Sequence, residues 1–387
     1  MPKSLFVLQG GGPTAVINAT LAGLLETARP LYDAIWGLPH SFEGMASGEV
    51  VDLRRIQSAA HLERLAQLPG AFLGSSRKKA EVADFDRILK QMRAAGSDTL
   101  VGIGGNGTMN TLALFAAFAE SQGMWINVCG LPKTVDNDLH HVHVSPGYGS
   151  AARFVAIAVR DFGYDFRSMA TFDDVTILET MGRETGWLAA ASSALKVHPE
   201  DPPHIVLVPE RPFDEKMLLD DVARQHSERG HVFIVVNEML RTDQGVLVGA
   251  EFQNGPLDDL GRRMYSLSLG TGNYLADLIW KRLQLQTRCL RPGNLGRALT
   301  ACVSEPDRQL ARKLGRDTAP AIWSEESAGQ MVTIDESLKF GWHPLIDCGG
   351  TRFLPSNFMK PKEYAVSTEF IDYTRPLIGA VEPLILL

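Results

Sequence analysis

This chain is organised as short apolar runs separated by longer, helix-like stretches. The runs include SLFVLQ (4–9), DTLVGIGG (98–105), VTILET (175–180) and HVFIVVNE (231–238), and each leads into a glycine-rich or polar junction. Continuously apolar runs are typical of strands buried on both faces, as in parallel sheets covered by helices. The pattern predicts an α/β fold built on parallel strands.

Composition narrows the class of protein. The 387 residues are 45% hydrophobic, which is enough for a sizeable core, and the length predicts two domains. A net charge of −7 argues against nucleic acid as the main ligand, although a small anion can still bind in a local basic pocket. The four cysteines form no C-x-x-C pair, which fits a reducing cytoplasm and suggests neither a disulfide framework nor a zinc site.

The apolar runs give no indication of a membrane segment. The first run is short and leads directly into glycines, so we interpret it as a strand and not as a signal peptide. No run approaches the roughly 18 apolar residues that a membrane-spanning helix needs. We therefore expect a soluble, cytoplasmic protein.

Two glycine-rich loops follow predicted strands. GGGP (10–13) and GIGGNGTMN (102–110) each stand between a strand and a helix. Glycines allow the backbone to approach a ligand closely, and the following helix offers N–H groups to an anion. Either loop alone also fits a tight turn, and the second has neither the P-loop pattern nor the G-x-G-x-x-G spacing. Because ligands bind at the carboxyl ends of parallel strands, the pair predicts a phosphate site.

The segment PKTVDND (132–138) places one cation and two carboxylates after another apolar run. One of Asp136 and Asp138 can accept a proton from an attacking hydroxyl while the other helps to bind Mg²⁺. Lys133 can neutralise charge on a transferring phosphoryl group. The alternative is an aspartate-rich turn capped by its own side chains. The neighbouring glycine loops favour the catalytic interpretation.

Other polar segments are weaker signals. In GSSRKK (74–79) the charges fit a solvated face, but the preceding Gly-Ser-Ser also allows a phosphate contact. Arg183 stands in the turn after one predicted strand, and Glu238 stands at the end of another, where it can accept hydrogen bonds from hydroxyl groups. The histidines of LHHVHV (139–144) lack an H-E-x-x-H helix, so a polar loop is favoured over a metal site.

Taken together, these segments resemble the phosphofructokinase family and occur in the family order from residue 10 to about residue 300. PKTVDND followed by MGR is quite specific. The VLVPERPF segment (206–213) and the long tail resemble the bacterial pyrophosphate-type branch. The resemblance implies an α/β fold of two Rossmann-like parallel-sheet domains with the active site in the cleft between them. Residues 1–140 would bind the phosphoryl donor, residues 141–310 the sugar phosphate, and residues 311–387 would form an extension.

The resemblance also implies the reaction, which is transfer of a phosphoryl group to the 1-hydroxyl of fructose 6-phosphate with Mg²⁺. Asp136 matches the general base that accepts the hydroxyl proton, and Thr134 matches a contact to the same end of the sugar. Asp138 matches the second acid, close to the metal and the reacting phosphate. Arg183 matches the arginine that stabilises the transferring group. Phosphoryl transfer depends mainly on such positioning and charge neutralisation.

Further positions are implied for the two substrates and the metal. The donor-phosphate positions are Gly11, Gly12, Arg77, Gly105, Asn106, Gly107 and Thr108. The positions implied for the sugar phosphate are Met181, Gly182, Glu238, Arg288 and Arg297, with Arg288 matching an arginine that a neighbouring subunit supplies in the family. Asn106 and Asp138 occupy the positions implied for Mg²⁺. Because the family completes its sugar site across a subunit contact, we expect a homodimer or homotetramer.

The two markers of the phosphoryl donor disagree. In the family, lysine at position 133 is typical of pyrophosphate users, whereas glycine at position 107 leaves room for the α-phosphate of ATP. The overall length and the GGPTAVIN segment favour pyrophosphate, and ATP is the alternative. Both substrates of the implied reaction are small molecules, and no nucleic acid or membrane partner is expected.

Three departures from the family concern the metal and the acceptor. Asn106 replaces a family aspartate that helps to place Mg²⁺, so the site has one charge fewer. Asp174 stands where a basic residue for the 6-phosphate is frequent, and Asn294 and Gly296 replace further polar residues of that site. These changes suggest an acceptor other than fructose 6-phosphate. A non-catalytic sugar-phosphate-binding subunit is the rival from another class, but a pure binding module needs no general base such as Asp136.

Overall fold

The structure is a computed structural model, and it describes residues 3–44, 48–56, 58–76, 78–169, 171–250 and 270–384. These residues divide into two compact units. Unit 1 comprises the described residues of 3–148 and of Arg297–Arg352. Unit 2 comprises the described residues of 149–296 and of 353–384.

The described residues contain eleven strands and twelve α-helices. The strands are β1 (Ser4–Gln9), β2 (Ala34–Leu38), β3 (Val51–Asp52), β4 (Ser97–Gly104), β5 (Asn127–Pro132), β6 (Val175–Thr180), β7 (Ile205–Leu207), β8 (Val232–Asn237), β9 (Thr287–Leu290), β10 (Gln330–Ile334) and β11 (Phe340–Pro344). The helices are α1 (Ile17–Ala28), α2 (Ser41–Gly44), α3 (Ala59–Gln67), α4 (Val82–Ala94), α5 (Asn106–Ser121), α6 (Tyr148–Ser168), α7 (Trp187–Ala191), α8 (Glu215–Arg229), α9 (Gly270–Leu283), α10 (Leu295–Ala298), α11 (Glu305–Trp323) and α12 (Thr368–Ile378).

Unit 1 is built on a seven-stranded sheet with the order β11-β10-β5-β4-β1-β2-β3. The five strands from β10 to β2 are parallel, and β11 and β3 pair antiparallel at the two edges. Helices α1, α3 and α11 pack on one face, and α4 and α5 pack on the other. Every residue of β1 and β5 is buried, which is why these strands are apolar without alternation.

Helix α11 belongs to unit 1 because its backbone packs directly on α1. A Cβ on Gly23 would lie 2.0 Å from Arg312 O, and a Cβ on Gly315 would lie 2.0 Å from Thr20 O. Only glycine permits so close an approach of two helix backbones. The domain division expected at residues 310–311 falls inside this helix, and residues expected to form a separate extension are shared between the two units.

Unit 2 contains a four-stranded parallel sheet with the order β7-β8-β6-β9. Side chains of α8 and α9 pack with the sheet in one apolar core. Trp187, at the start of α7, is fully buried and contacts the rings of Phe358, Phe370 and Tyr373. The last part of the chain therefore completes the packing around α7.

The strand predictions agree with the structure to within a few residues. The runs 4–9 and 175–180 are strands β1 and β6 with the predicted bounds. The helix predicted after the first glycine loop begins at Ile17, and the one predicted after ETMGRETG is only five residues long. Among the described residues, no helix combines the length and the apolar character that crossing a membrane requires.

Candidate active site

The carboxyl ends of three neighbouring strands bring the predicted motifs of unit 1 together. Strand β4 pairs with β1 on one side and with β5 on the other, all in parallel. Their carboxyl ends lead into residues 10–13, 105–108 and 133–138, which therefore lie along one edge of the sheet. Gly11 has φ of +73°, a backbone conformation that favours glycine.

Lys133 links two of these loops. Its side chain is 1% exposed, and Nζ donates to Gly10 O at 2.8 Å and to Gly12 O at 2.7 Å. Burial, followed by repulsion from the Arg297 guanidinium, lowers the pKa of Lys133 from 10.5 to about 7, while the nearby aspartates act in the opposite direction. Lys133 therefore holds the glycine loop and places an amino group, cationic below about pH 7, directly behind it.

The position of Thr108 accounts for the presence of glycine at residues 10 and 104. A Cβ on Gly10 would lie 2.4 Å from Thr108 Oγ1, and a Cβ on Gly104 would lie 2.2 Å from the same atom. The loops after β1 and β4 thus approach each other too closely for larger residues. Thr108 lies in the first turn of α5, which begins after Gly105 and offers N–H groups to an anion.

The segment after Gly74 also reaches this edge. Ser75 Oγ donates to Gly11 O, which fastens the Gly-Ser-Ser turn to the first glycine loop. Arg77, the predicted phosphate contact of this segment, lies outside the described residues. Gly107 is exposed at the start of α5, as a donor-binding position requires.

Residues 133–138, here called the base loop, present two carboxylates on a buried frame. Asp136 N donates to Thr134 Oγ1 at 3.1 Å, so part of the loop is capped by its own side chain. Asn137 is fully buried and has φ of +54°. Asp136 and Asp138 on either side of it are partly exposed and remain accessible to a ligand.

Asn106 contacts the second of these aspartates. Asn106 Nδ2 donates to Asp138 Oδ2 at 3.0 Å and to Asp138 O at 3.3 Å. Its Oδ1 is buried and has no hydrogen-bond partner within the described part of the chain. An amide oxygen beside a carboxylate supplies the oxygen ligands that Mg²⁺ prefers. Asn106 and Asp138 therefore fit a magnesium ion, with one negative charge between them.

Arg297 lies against the first glycine loop. A Cβ on Gly12 would lie 2.9 Å from Arg297 Nη1 and 3.9 Å from its Cζ. The family resemblance implies a contact with the acceptor 6-phosphate, whereas this structure brings Arg297 together with the donor-phosphate residues.

In unit 2, the residues expected to contact the transferring group and the sugar follow two adjacent strands. Met181, Gly182 and Arg183 follow β6, and Glu238 follows β8, so they share the carboxyl edge of the sheet. Arg183 has φ of +51°, and its N–H donates to Glu238 Oε1 at 3.1 Å. A Cβ on Gly182 would lie 2.7 Å from Thr185 O, so this turn requires glycine. Glu238 thereby holds the turn that presents Arg183.

Two other residues implied at the acceptor phosphate lie at the opposite edge of this sheet. Asp174 precedes β6, contacts His226 Nε2 at 3.0 Å and accepts from Gln286 N at 2.8 Å. Arg288 pairs across the sheet with the second residue of β6, and its Nε donates to Asp173 Oδ1 at 2.8 Å. Because six strand residues span about 20 Å, a single chain does not bring Asp174 or Arg288 to Arg183.

The histidine segment has a structural role in this fold. The rings of His141 and His343 stack at 3.8 Å, and His143 N donates to Ile334 O in β10. Within the described residues, no group of three or more histidine, cysteine, aspartate or glutamate side chains is arranged to bind a metal.

Sequence reasoning missed two residues that support the motifs. Ser75 binds the first glycine loop, and the Gly-Ser-Ser turn offered some signal for it. Arg352 donates to two carbonyls of the base loop from more than 200 residues away. No pattern in the sequence around Arg352 indicates that contact.

The chain is similar to known proteins in both sequence and structure. The family model for phosphofructokinase matches residues 4–322. A sulfofructose kinase of Alkalicoccus urumqiensis is 33% identical over 92% of this chain and 91% of its own length. A pyrophosphate–fructose 6-phosphate 1-phosphotransferase of Rhodospirillum rubrum is 32% identical over 97% of this chain and 94% of its own length.

A solved structure agrees with these sequence matches. The pyrophosphate-dependent phosphofructokinase from Nitrosospira multiformis superposes with a TM-score of 0.86 at 26% identity, covering 98% of this chain and 92% of that one. The fold predicted from the sequence resemblance is thereby confirmed. With a family model matching most of the chain and relatives matching more than nine-tenths of it, the protein belongs to the phosphofructokinase family.

Proposed function

We propose that the protein is a Mg²⁺-dependent phosphotransferase that reversibly transfers a phosphoryl group between pyrophosphate and the 1-hydroxyl of fructose 6-phosphate. The observation that carries the proposal is Lys133, whose buried ammonium binds the carbonyls of Gly10 and Gly12. Its pKa is about 7 without a ligand, and a bound anion would favour the protonated form, which places a positive charge beside two anion-suited loops and next to the base loop. Such a preorganised charge suits a small and highly charged phosphoryl donor.

The proposed step uses the carboxylate of Asp136 as the base. The oxygen of the 1-hydroxyl attacks the terminal phosphorus of pyrophosphate while the bond from that phosphorus to the bridging oxygen breaks. Asp136 takes the hydroxyl proton, and orthophosphate leaves with the electrons of the broken bond. The side chain of Arg183 neutralises charge on the transferring group, and Glu238 accepts hydrogen bonds from the sugar hydroxyls.

Magnesium is part of this proposal. Asn106 and Asp138 would hold the ion, which neutralises charge on the phosphoryl oxygens when it is bound. The N–H groups at the start of α5 and the loop of Gly11 and Gly12 hold the donor phosphates. ATP is the alternative donor, because glycine at the exposed position 107 leaves space for the α-phosphate of ATP.

A second candidate function differs in the acceptor. One relative is named as a sulfofructose kinase and is 33% identical over 92% of this chain. A sulfonate carries one negative charge, whereas a phosphate monoester carries close to two at neutral pH. Asn294 and Gly296 offer no positive charge where the family often has polar or basic residues. A fructose with a monoanionic group at carbon 6 therefore fits this chain as an alternative acceptor.

An assay with two donors and two acceptors tests these functions. Purified protein with Mg²⁺ is given pyrophosphate or ATP, together with fructose 6-phosphate or 6-deoxy-6-sulfofructose. We expect turnover with pyrophosphate and fructose 6-phosphate. Asp136→Asn should lower kcat about a thousandfold while pyrophosphate binding, measured by calorimetry, is retained. Turnover with ATP alone would refute the pyrophosphate assignment, and preference for the sulfonate would select the second candidate.

The assembly and location of the enzyme follow from the same proposal. Arg288 lies at the far edge of the unit 2 sheet from Arg183, so a role for Arg288 at an acceptor phosphate requires a neighbouring subunit. We therefore propose a homodimer or homotetramer that works in the cytoplasm. The cysteines form no disulfide in the described residues, which fits a reducing compartment. If analytical ultracentrifugation finds a monomer and that monomer is fully active, Arg288 has no role at the acceptor phosphate.

A further inference from the structure

The base loop is bound from behind by a residue near the end of unit 1. Arg352 N donates to Asp138 O at 2.8 Å, and Arg352 Nη1 donates to Asn137 O at 3.3 Å. We infer that Arg352 is a positioning residue that fixes the orientation of Asp136 and Asp138 for phosphoryl transfer. The inference rests on the proposed function and assigns a task to the C-terminal part of the chain.

The two hydrogen bonds fix consecutive peptide groups of the loop. Their acceptors are the carbonyls of Asn137 and Asp138, so both peptide planes face Arg352. The side chain of Asn137 is held independently, because its Oδ1 accepts from Ser145 N at 2.9 Å. A non-glycine residue at φ of +54° is in a sparsely populated conformation, which persists where its surroundings impose it. Arg352 supplies part of that constraint.

The contacts of Asp138 show how this constraint reaches a reacting group. Its carbonyl is held by Arg352, and its carboxylate accepts from Asn106 Nδ2. The main chain and the side chain of Asp138 are therefore fixed by different residues. Loss of the Arg352 contacts would allow the peptide groups on both sides of Asp138 to rotate, which moves the Asp138 carboxylate directly and that of Asp136 through Asn137.

The charge of Arg352 also reaches the segment that follows the loop. Burial and then the Arg352 guanidinium lower the pKa of His143, against the opposing charges of Glu336 and Asp335. The guanidinium thus faces the base loop and its continuation. A planar group with several donors suits a carbonyl held at a fixed angle, and a lysine would keep the charge with weaker geometry.

Kinetics of Arg352 variants test the inference. Arg352→Met keeps the backbone bond but removes the side-chain donor, and it should lower kcat about a hundredfold with both KM values changed less than threefold. The kcat of Arg352→Lys should be about tenfold higher than that of Arg352→Met. Arg153→Met is the matched control, because Arg153 is also half-buried and Nη1 donates to Ile378 O and Ala380 O in unit 2. Its kcat should match the wild type.

Hydrogen exchange provides a readout that does not depend on the reaction. In Arg352→Met, the amides of Asp136 and Ser145 should exchange at least tenfold faster than in the wild type, and Arg153→Met should leave them unchanged. If the wild type does not use pyrophosphate, the proposed function fails while exchange still decides the positioning role. Equal exchange in Arg352→Met and the wild type, or a kcat loss below threefold in an active enzyme, would overturn that role.

Discussion

The base loop and residues 288–297, here called the anion segment, are both expected to meet charged parts of the substrates, yet they are built differently. In the base loop, Lys133, Thr134, Val135 and Asn137 are buried. In the anion segment no residue is buried, and Leu295 is 61% exposed. The backbone of the base loop is held by Arg352, whereas the helix of the anion segment has only four residues.

The difference indicates which of the two regions tolerates substitution better. A change in the base loop leaves buried polar groups unpaired, at about 1–3 kcal/mol each. A change on an exposed segment usually alters stability by about 0.5 kcal/mol or less. A substitution in the base loop should therefore cost more stability than one in the anion segment. Asn294 and Gly296 are differences of the less costly kind.

Lys133→Met should have the largest effect of the variants that follow from this comparison. It leaves the carbonyls of Gly10 and Gly12 without their donor, so kcat/KM for pyrophosphate should fall about a hundredfold and stability by about 2 kcal/mol. Lys196→Met is the control, because Lys196 is partly buried and also donates to backbone carbonyls, three of them, in unit 2. The control should lose stability and keep its turnover. Equal loss of turnover in both variants would contradict the comparison.

The pH dependence of stability gives a second measure of Lys133. Its pKa is lowered to about 7 in the folded protein, mainly by burial, and is 10.5 in the unfolded chain. Above pH 7 the unfolded chain binds the extra proton, so wild-type stability should rise with pH. Between pH 7 and 8, the wild type should gain about 1 kcal/mol over Lys133→Met in urea unfolding. A constant difference across this range would show that Lys133 titrates normally.

The two regions also differ in how well sequence predicts them. The bounds of β1 and β6 could be predicted from apolar runs, because strands that are buried on both faces are continuously apolar. Strands β9 and β11, both at sheet edges, are only partly buried and leave no such run. The packing of α11 on α1 depends on Gly23 and Gly315, which are distant in sequence. No local pattern contains that contact.

For the candidate site as well, local segments could be predicted from the sequence, whereas contacts between distant residues could not. The glycine loops and the base loop each occupy one junction, so their residues could be predicted from short segments. Arg297 could be predicted as a phosphate-binding residue, but its place beside Gly12 depends on how the chain returns to unit 1. Arg352 lies in the same part of the chain, and its contact with the base loop was not predicted. Residues that reach a site over long sequence distances lack a periodic or local signal.

Arg297 belongs to the anion segment in sequence, yet its side chain lies against Gly12. If it serves the donor, Arg297→Met should raise KM for pyrophosphate about tenfold and change KM for the acceptor less than threefold. Gly12→Ala should displace the same guanidinium, since its Cβ would lie 2.9 Å from Nη1. The two changes should therefore be non-additive in the double variant. If only the KM for the acceptor rises, Arg297 binds the acceptor and not the phosphoryl donor.

Asn106→Asp should have the smallest effect on turnover, because it alters the charge beside the base loop without removing a reacting group. The variant loses the hydrogen bond from Nδ2 to Asp138 Oδ2 and places two carboxylates together. Without Mg²⁺ its stability should fall by about 1 kcal/mol. With Mg²⁺ the added charge should strengthen binding, so the concentration of Mg²⁺ needed for half-maximal activity should fall several-fold.

Asn106→Ala separates the two effects of that change, since it removes the same hydrogen bond without adding a carboxylate. Thermal unfolding in EDTA should be lowered in both variants, because both lose the donor to Asp138. Addition of Mg²⁺ should raise the unfolding temperature of Asn106→Asp more than that of the wild type, and that of Asn106→Ala least. An equal rise in all three proteins would mean that position 106 does not contact the ion, which would leave Asp138 and the donor phosphates as its ligands.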